Sequence, residues 1–206
     1  MITVIGAGIS GITTAYYLAR AGYSVRVVDQ ERYPGMGTSY ANGGQLSASN
    51  AEVWNNWSNA GKGIKWMFQQ DAPLKINPAP SIAKYAWFAR FLANISGRDQ
   101  RTQRTCEMAI ESHALYKNIA DKEGIDFDQV NQGIMHIYSD PKDLAKARIT
   151  NQIYQQAGLP RREITAAEIR SIEPALADSK IELVGGFYTE EDFTGDIHKF
   201  CYQLGE

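Results

Sequence analysis

The chain is poor in the residue types that build disulfide frameworks and metal sites. Its two cysteines, Cys106 and Cys201, lie far apart and in no CxxC arrangement, so the sequence predicts neither a disulfide framework nor a zinc site. A reducing compartment is therefore expected. The three histidines, His113, His136 and His198, lack the HxH, HxxxH and HExxH spacings of metal ligands and are interpreted as structural. No GxSxG motif is present, so nothing indicates a hydrolase nucleophile.

The chain also lacks an excess of charge and any long apolar run. Its 21 basic and 23 acidic residues are well mixed and give a formal net charge of −2, which predicts neither nucleic-acid binding nor strong binding to anionic lipid. No stretch approaches the roughly 18 apolar residues of a membrane span, and no signal-peptide pattern opens the chain. We expect a cytoplasmic protein that does not cross a membrane.

What the sequence does contain is a glycine-rich turn directly after an apolar strand. Gly6 permits a tight turn, Gly8 lets a pyrophosphate approach the backbone, and Gly11 lets the following helix pack closely on the sheet. Asp29 closes the next strand, close to the spacing of about 20 residues at which a carboxylate accepts hydrogen bonds from an adenosine ribose. Its negative charge argues against a 2′-phosphate. The pattern predicts a dinucleotide-binding βαβ unit for either NAD or FAD.

A second loop of small residues, 38–46, follows soon after the first. Small side chains and the adjacent Gly43 and Gly44 let the chain pass close to a flat ligand and offer backbone donors. An isolated Asn-Gly-Gly would more often be a flexible surface loop. Because this one follows a dinucleotide-binding unit, we predict that it contacts the cofactor.

Aromatic residues are concentrated between Trp54 and Ile95, in two predicted helices near 60–69 and 81–95. These rings could line a substrate pocket or touch a membrane surface. Because aromatic residues at helical spacing are usually buried, we interpret them as core.

The rest of the chain predicts a mixture of helices and strands. An acidic group, 190–192 with Asp196, could orient an amine or act as a base, but a solvated turn with a helix cap at Asp196 is the simpler interpretation. We therefore nominate no catalytic acid or base. Helices are predicted at 99–123, 143–156, 166–172 with a capping box at 165–168, and from about 196; strands are predicted at 133–138 and 183–188.

Only two parallel strands of the dinucleotide-binding sheet are evident. Such sheets have more, so we expect the others to come from beyond Glu206 or from another chain.

With both glycine loops in hand, the chain resembles the FAD-dependent amino-acid oxidoreductases of the D-amino-acid oxidase and glycine oxidase superfamily, above all the D-amino-acid dehydrogenases. The resemblance rests on VIGAGISGITTAYYLARAGYSVRVVD, TSYANGGQLS, GIKWMFQQDAPLKINP and GGFYTEEDFTGDIHKF. The third stretch is the most specific, because many flavoproteins share the first.

The resemblance implies an α/β fold with a Rossmann-like FAD-binding domain, incomplete in this chain. That domain would comprise residues 1–52 and 190–206, and residues 53–189 would form an inserted α+β substrate domain with a helical segment at 60–123. The residues that it places around FAD are Gly6, Ala7, Gly8, Ile9, Ser10 and Gly11 at the pyrophosphate, Asp29 and Gln30 at the adenosine ribose, and Ser39, Asn42, Gly43, Gly44, Gln45 and Leu46 on the ribityl and flavin side.

The implied reaction is FAD-dependent oxidation of a D-amino acid to a 2-oxo acid and ammonia, with electrons passed to a quinone or other carrier. Peripheral association with the inner face of the cytoplasmic membrane would fit such an acceptor. The resemblance leaves open a sarcosine, glycine or opine oxidase-like flavoenzyme, and a noncatalytic FAD-binding subunit of a split enzyme. Family members continue through a second half with further flavin and substrate contacts, so we expect a partner chain or a further segment to supply it.

Overall fold

The first βαβ unit forms as the glycine pattern predicts. The computed structural model of the chain describes residues 1–66, 69, 71, 77 and 79–206. Strand β1 (Ile2–Ile5) is followed by helix α1 (Ile9–Arg20) and strand β2 (Val25–Val28). The two strands pair in parallel, from Ile2 opposite Val25 to Ile5 opposite Val28. Helix α1 begins at Ile9, because Gly8 in extended conformation forms its N-cap.

Antiparallel pairing joins the second glycine loop to the end of the chain. Strand β3 (Gln45–Leu46) pairs with β7 (Phe193–Thr194), and Leu46 lies opposite Phe193. Helix α7 (Ile197–Gly205) then packs on α1. The core of this region contains buried apolar side chains from α4 (Arg98–Glu123), the loop after it, α7 and both short strands: Leu46, Ile119, Ala120, Ile125, Phe127, Phe193 and Phe200.

A second, three-stranded sheet has a helix on each face. Strands β4 (Ile134–Tyr138), β5 (Arg161–Ile164) and β6 (Gly185–Thr189) are arranged in the order β4-β6-β5, with both neighbouring pairs antiparallel. The face that carries Phe187 packs on α5 (Pro141–Gln156), and the opposite face, with Ile164, packs on α6 (Ala166–Ile172). Strand β5 has no predicted counterpart, because its sequence RREI does not alternate between polar and apolar residues.

The helix caps that the sequence predicts at Thr165 and Asp196 are present in the structure. Thr165 and Glu168 form the predicted capping box, and Asp196 caps α7 by accepting a hydrogen bond from the Lys199 N–H. The bounds are α2 (Trp57–Trp66), α3 (Ile82–Ala93), α4 (Arg98–Glu123), α5 (Pro141–Gln156) and α6 (Ala166–Ile172), with 3₁₀ turns at Ala48–Asn50 and Pro174–Leu176.

The aromatic helices are exposed, and the core interpretation of this region is wrong for its described residues. Helix α3 contains no buried residue, and Trp54, Trp57 and Trp87 are 80%, 70% and 58% exposed. The Trp87 ring stacks on the Phe91 ring of its own helix, with centroids 5.3 Å apart. Helical periodicity detects an apolar face but not whether another element covers it. Residues 67 and 68 of the first predicted helix, and most of the stretch 67–78, lie outside the described residues.

Candidate functional site

The first glycine loop is held in a shape that only glycine allows at two positions. Gly6 has a φ of +99°, in the region that side chains avoid. A Cβ on Gly11 would lie 1.8 Å from the Gly6 carbonyl oxygen, so α1 can approach the turn only because Gly11 has no side chain. A Cβ on Gly8 would meet its nearest atom, Ser39 Oγ, at 3.5 Å, an ordinary contact. Gly8 is therefore not required by the protein's own packing.

Some of the N–H groups in and after this loop donate to protein side chains, and others have no backbone acceptor among the described residues. The Ala7 N–H donates to Asp29 Oδ2, and the Ile9 N–H donates to Ser39 Oγ at 3.2 Å. Among the described residues, the N–H groups of Ser10 and Gly11 have no backbone acceptor. The first turn of α1 thus keeps donors that can bind a phosphate, where the helix dipole favours negative charge.

Asp29 lies at the carboxyl end of β2 with its side chain exposed. Its Oδ1 accepts from the Glu31 N–H at 2.8 Å, while Oδ2 accepts from Ala7. These backbone hydrogen bonds, Ala7 first, lower the pKa of Asp29. Since each carboxylate oxygen has two lone pairs, one on each oxygen remains for a further donor. Gln30 follows in an exposed bend.

The second glycine loop borders a cavity of about 360 Å³. Asn42 Oδ1 accepts from the Gly44 N–H at 2.7 Å, and the Gly44 carbonyl accepts from the Gly195 N–H at 2.9 Å, so the loop is tied to the start of α7. The sequence-predicted residues on the cavity wall are Ser39, Asn42, Gly43 and Gly44. Gln45 is exposed, whereas the Leu46 side chain is buried in the core.

A second cavity, of about 730 Å³, lies beside α1 and β2 on the Asp29 side. Ala7, Asp29, Glu31 and Arg32 form part of its wall. Of the predicted residues, Ala7 and Asp29 line this cavity, and Ser39, Asn42, Gly43 and Gly44 line the first one. The hydrogen bond from the Ile9 N–H to Ser39 Oγ joins the two glycine loops.

Asp192 is a buried carboxylate beside the second glycine loop that the sequence interpretation missed. It is fully buried, although a solvated turn is predicted there. Its carboxylate accepts from Ser47 Oγ (2.9 Å), the Ala48 N–H (2.8 Å), the Ser49 N–H (3.3 Å) and Ser49 Oγ (2.5 Å). All four donors follow directly after the second glycine loop. Nothing in the sequence distinguishes Asp192 from its exposed neighbours 190 and 191, because its partners are more than 140 residues away.

Two histidines lie near this carboxylate, His113 directly and His136 through Ser49. His136 Nε2 lies 2.8 Å from Ser49 Oγ, and His113 Nδ1 lies 3.9 Å from Asp192 Oδ1. Burial, reinforced by the charge of Arg161, lowers the pKa of His136 to about 4, and burial lowers the pKa of His113. His198 lies elsewhere, edge-on to Tyr40 with ring centroids 4.9 Å apart.

The two free cysteines are buried, and their thiols are held in the protonated form. Burial raises the pKa of Cys106 and of Cys201 to about 11, so neither thiol is activated as a nucleophile.

The glycine turn, the open helix donors and the exposed carboxylate fit a dinucleotide. Comparison with known proteins identifies which one. The family model of the DAO FAD-dependent oxidoreductases matches residues 1–206. The chain belongs to this family. FAD is the cofactor of the family, so the expectation of FAD rather than NAD is confirmed.

Curated relatives and a solved structure agree with this assignment. D-amino acid dehydrogenase 3 from Mesorhizobium japonicum is 52% identical over 98% of this chain, which covers 48% of that protein. D-amino acid dehydrogenase from Paramagnetospirillum magneticum is 41% identical over 98% of this chain and 49% of its own length. L-proline dehydrogenase from P. horikoshii, at 19% identity, has the same fold with a TM-score of 0.63, over 98% of this chain and 40% of that one.

These comparisons confirm the mixed α/β fold and the oxidoreductase family. The chain spans about half the length of the curated relatives that it matches. Within the described part of the chain, no helix combines the length and apolarity needed to cross a bilayer.

Proposed function

We propose that the enzyme to which this chain contributes oxidises D-amino acids to 2-oxo acids and ammonia and passes the electrons to a quinone or another carrier. The observation that carries the proposal is the 52% identity to a D-amino acid dehydrogenase along 98% of the chain. FAD, when bound, supplies the electron-accepting group. The task of these residues is then to bind the cofactor, orient it and keep water from it.

Two groups of residues are proposed to hold FAD at its charged middle and its adenosine end. The N–H groups of Ser10 and Gly11 would donate to the pyrophosphate, which Gly8 lets approach closely. Asp29 would accept from the adenosine ribose with the lone pairs that Ala7 and Glu31 leave open, and Gln30 would lie next to the ribose.

The second glycine loop is proposed to meet the ribityl and flavin portion. Asn42, Gly43 and Gly44 would offer small surfaces and backbone groups on the wall of the 360 Å³ cavity. Leu46 would contribute through its backbone, since its side chain is buried in the core. Residues 1–52 and 190–206 would thus form the FAD-binding domain, and residues 53–189 the substrate domain.

A cofactor titration tests this placement without any substrate. Adding FAD to the purified chain should give a bound flavin spectrum, and Asp29→Ala should weaken binding roughly tenfold to a hundredfold, because a charged hydrogen-bond acceptor is lost. Asp178→Ala removes another exposed carboxylate, outside both glycine loops, and serves as the control. Equal affinity of Asp29→Ala and the control would remove Asp29 from the site.

A substrate panel tests the reaction itself. With an artificial electron acceptor, D-amino acids should bleach the flavin and release ammonia, while L-amino acids should not. Turnover of sarcosine, glycine or an opine with oxygen consumption would instead favour an oxidase of that type. Flavin binding without turnover of any of these would favour a noncatalytic FAD-binding subunit.

Further strands are proposed to complete the β1–β2 sheet, from a longer chain or from a partner chain. Ile5 and Val28, at the ends of adjacent strands, are 88% and 47% exposed, although apolar strands of such sheets are normally covered. Co-expression with a segment that resembles the second half of the relatives should protect both strands from hydrogen exchange. Unchanged protection would contradict the proposal.

Helix α3 is proposed as a contact with the inner membrane surface, near a quinone acceptor. It exposes Ile82, Tyr85, Trp87 and Leu92 and carries Lys84 and Arg90 with no acidic residue. Sedimentation with vesicles that contain anionic lipid should fall several-fold in Ile82→Ser/Trp87→Ser. Ile149→Ser, on α5 and 63% exposed, is the control. Equal sedimentation of all three proteins would exclude α3 from membrane contact.

A further inference from the structure

We infer that Asp192 is a positioning residue that fixes the flavin-side loop and, through Ser49, the proton on His136. The inference rests on the proposed function, because it assumes that residues 42–46 meet the cofactor. Asp192 itself would touch neither FAD nor substrate. It would set where the loop lies.

The carboxylate of Asp192 accepts its hydrogen bonds from one short segment, residues 47–49. Among the described residues, every donor within hydrogen-bond distance belongs to Ser47, Ala48 or Ser49, and both carboxylate oxygens are used. The one basic side chain within 4.0 Å in that part of the chain is His113, at 3.9 Å, and burial favours its neutral form by lowering its pKa. The buried charge is therefore balanced mainly by donors of the segment it holds. Moving that segment would leave a buried carboxylate without partners, which is costly.

The loop is consequently fixed at both ends, with the glycines between. At the near end, Ser39 Oγ accepts from the Ile9 N–H at the first turn of α1. At the far end, Leu46 pairs with Phe193, and the next residue along, Ser47, donates to Asp192. The intervening Asn42–Gly44 stretch faces the cavity, and its position follows from the two anchors together with the hydrogen bond from the Gly195 N–H to the Gly44 carbonyl.

The contacts of Ser49 assign the state of His136. Ser49 Oγ lies 2.5 Å from Asp192 Oδ2 and 2.9 Å from Ser47 Oγ, and we assign its hydrogen to the carboxylate, which is the closer and the stronger acceptor. Ser49 Oγ then accepts from His136 Nε2, at 2.8 Å, so the Nε2 atom carries the hydrogen and Nδ1 of the neutral ring is bare. Asp192 thereby sets the orientation of a ring on β4, in the substrate-domain sheet, as well as the position of the loop.

The test compares two neighbouring carboxylates in the full chain. Asp192→Asn keeps the size of the side chain but turns one acceptor oxygen into an NH₂ group, which cannot accept the hydrogens that Ser47, Ala48 and Ser49 donate. Glu191→Gln removes an exposed carboxylate in the same turn and is the matched control. Asp192→Asn should weaken FAD binding roughly tenfold to a hundredfold and shift the bound flavin spectrum toward that of free FAD, while Glu191→Gln stays within about twofold.

Two measurements without cofactor separate this inference from the proposed function. Nitrogen NMR of labelled histidine should show the Nε2–H form of His136 in the wild type and a changed form in Ser49→Ala. Hydrogen exchange at the Ala48 and Ser49 amides should be slow in the wild type and at least tenfold faster in Asp192→Asn. If the wild type bound no FAD, the cofactor placement would fail, and these two results would still decide the role of Asp192.

The remaining outcomes also test the positioning role of Asp192. If Asp192→Asn does not fold, Ser47→Ala and Ser49→Ala each remove one donor and should weaken FAD binding a few-fold, with the flavin spectrum shifted in the same direction. Wild-type affinity and spectrum in both serine variants, or in a folded Asp192→Asn, would overturn the inference. An Nδ1–H form of His136 in the wild type would overturn its second part.

Discussion

The two larger sheets of the molecule both contain apolar strands, but their surroundings are very different. In the β4-β6-β5 sheet, helices cover both faces, and Phe187 is 1% exposed. In the β1–β2 sheet, α1 packs on one face, and Ile5 is 88% exposed. The sequences ITVI and VRVV are as suited to burial as GGFYT. The difference therefore reflects what covers each sheet, and an apolar strand without cover indicates where further structure belongs.

The largest effect is expected from removing the ring at the centre of the covered sheet. Phe187→Ala should lower the free energy of unfolding by about 3–5 kcal/mol, because it leaves a cavity between β6 and α5. It also removes the ring on which the buried Arg161 guanidinium lies, 4.5 Å from the centroid. Urea denaturation of the chain measures the loss.

Ile5→Ala is the matched change in the uncovered sheet. It should alter the free energy of unfolding by less than about 0.5 kcal/mol, since the side chain is already in water. In a protein in which added strands cover β1, the same change should cost about 2 kcal/mol or more. A large loss in the 206-residue chain alone would contradict the contrast between the sheets.

Lowering the pH should lower the free energy of unfolding, because His136 in the covered sheet is buried in its neutral form. Its pKa is about 4 when folded and 6.5 when freely hydrated, so the unfolded chain takes up a proton that the folded chain refuses. The resulting stability is present above pH 6.5 and is lost as the pH falls from 6.5 toward 4, by roughly 3 kcal/mol. His113 contributes in the same direction. His136→Gln should flatten the urea-midpoint profile in this range, and an unchanged slope would show that His136 does not carry it.

A pair of glycine substitutions distinguishes packing from cofactor binding in the β1–β2 region. Gly11→Ala should destabilise the chain by about 1–3 kcal/mol and abolish FAD binding, because its Cβ would collide with the Gly6 carbonyl. Gly8→Ala has room in the protein alone and should keep its melting temperature while weakening FAD binding. Thermal melts and FAD titrations of both variants check this. Normal FAD affinity in Gly8→Ala would move the pyrophosphate away from Gly8.

Local signals in the sequence predicted the elements and the first glycine turn well. Gly6 and Gly11 are required by backbone geometry within a few residues, and the caps at Thr165 and Asp196 depend only on neighbours in the chain. Asp192 and the exposed α3 were predicted wrongly for a common reason. Burial depends on which distant segment lies against a residue, and neither periodicity nor residue type reports that.

A smaller loss of stability tests whether α6 secures the second face of the covered sheet. Thr165 Oγ accepts from the Glu168 N–H, and Glu168 accepts from the Thr165 N–H, which together fix the first turn of α6. Thr165→Ala should cost about 1 kcal/mol, whereas Thr165→Ser keeps the hydroxyl and should cost less than half of that. Because α6 places Ile169 against Gly186, the loss in Thr165→Ala should appear as faster hydrogen exchange in β6 but not in β1 or β2. Equal acceleration in both sheets would mean that they unfold as one unit, and the contrast between them would then concern solvent exposure but not local stability.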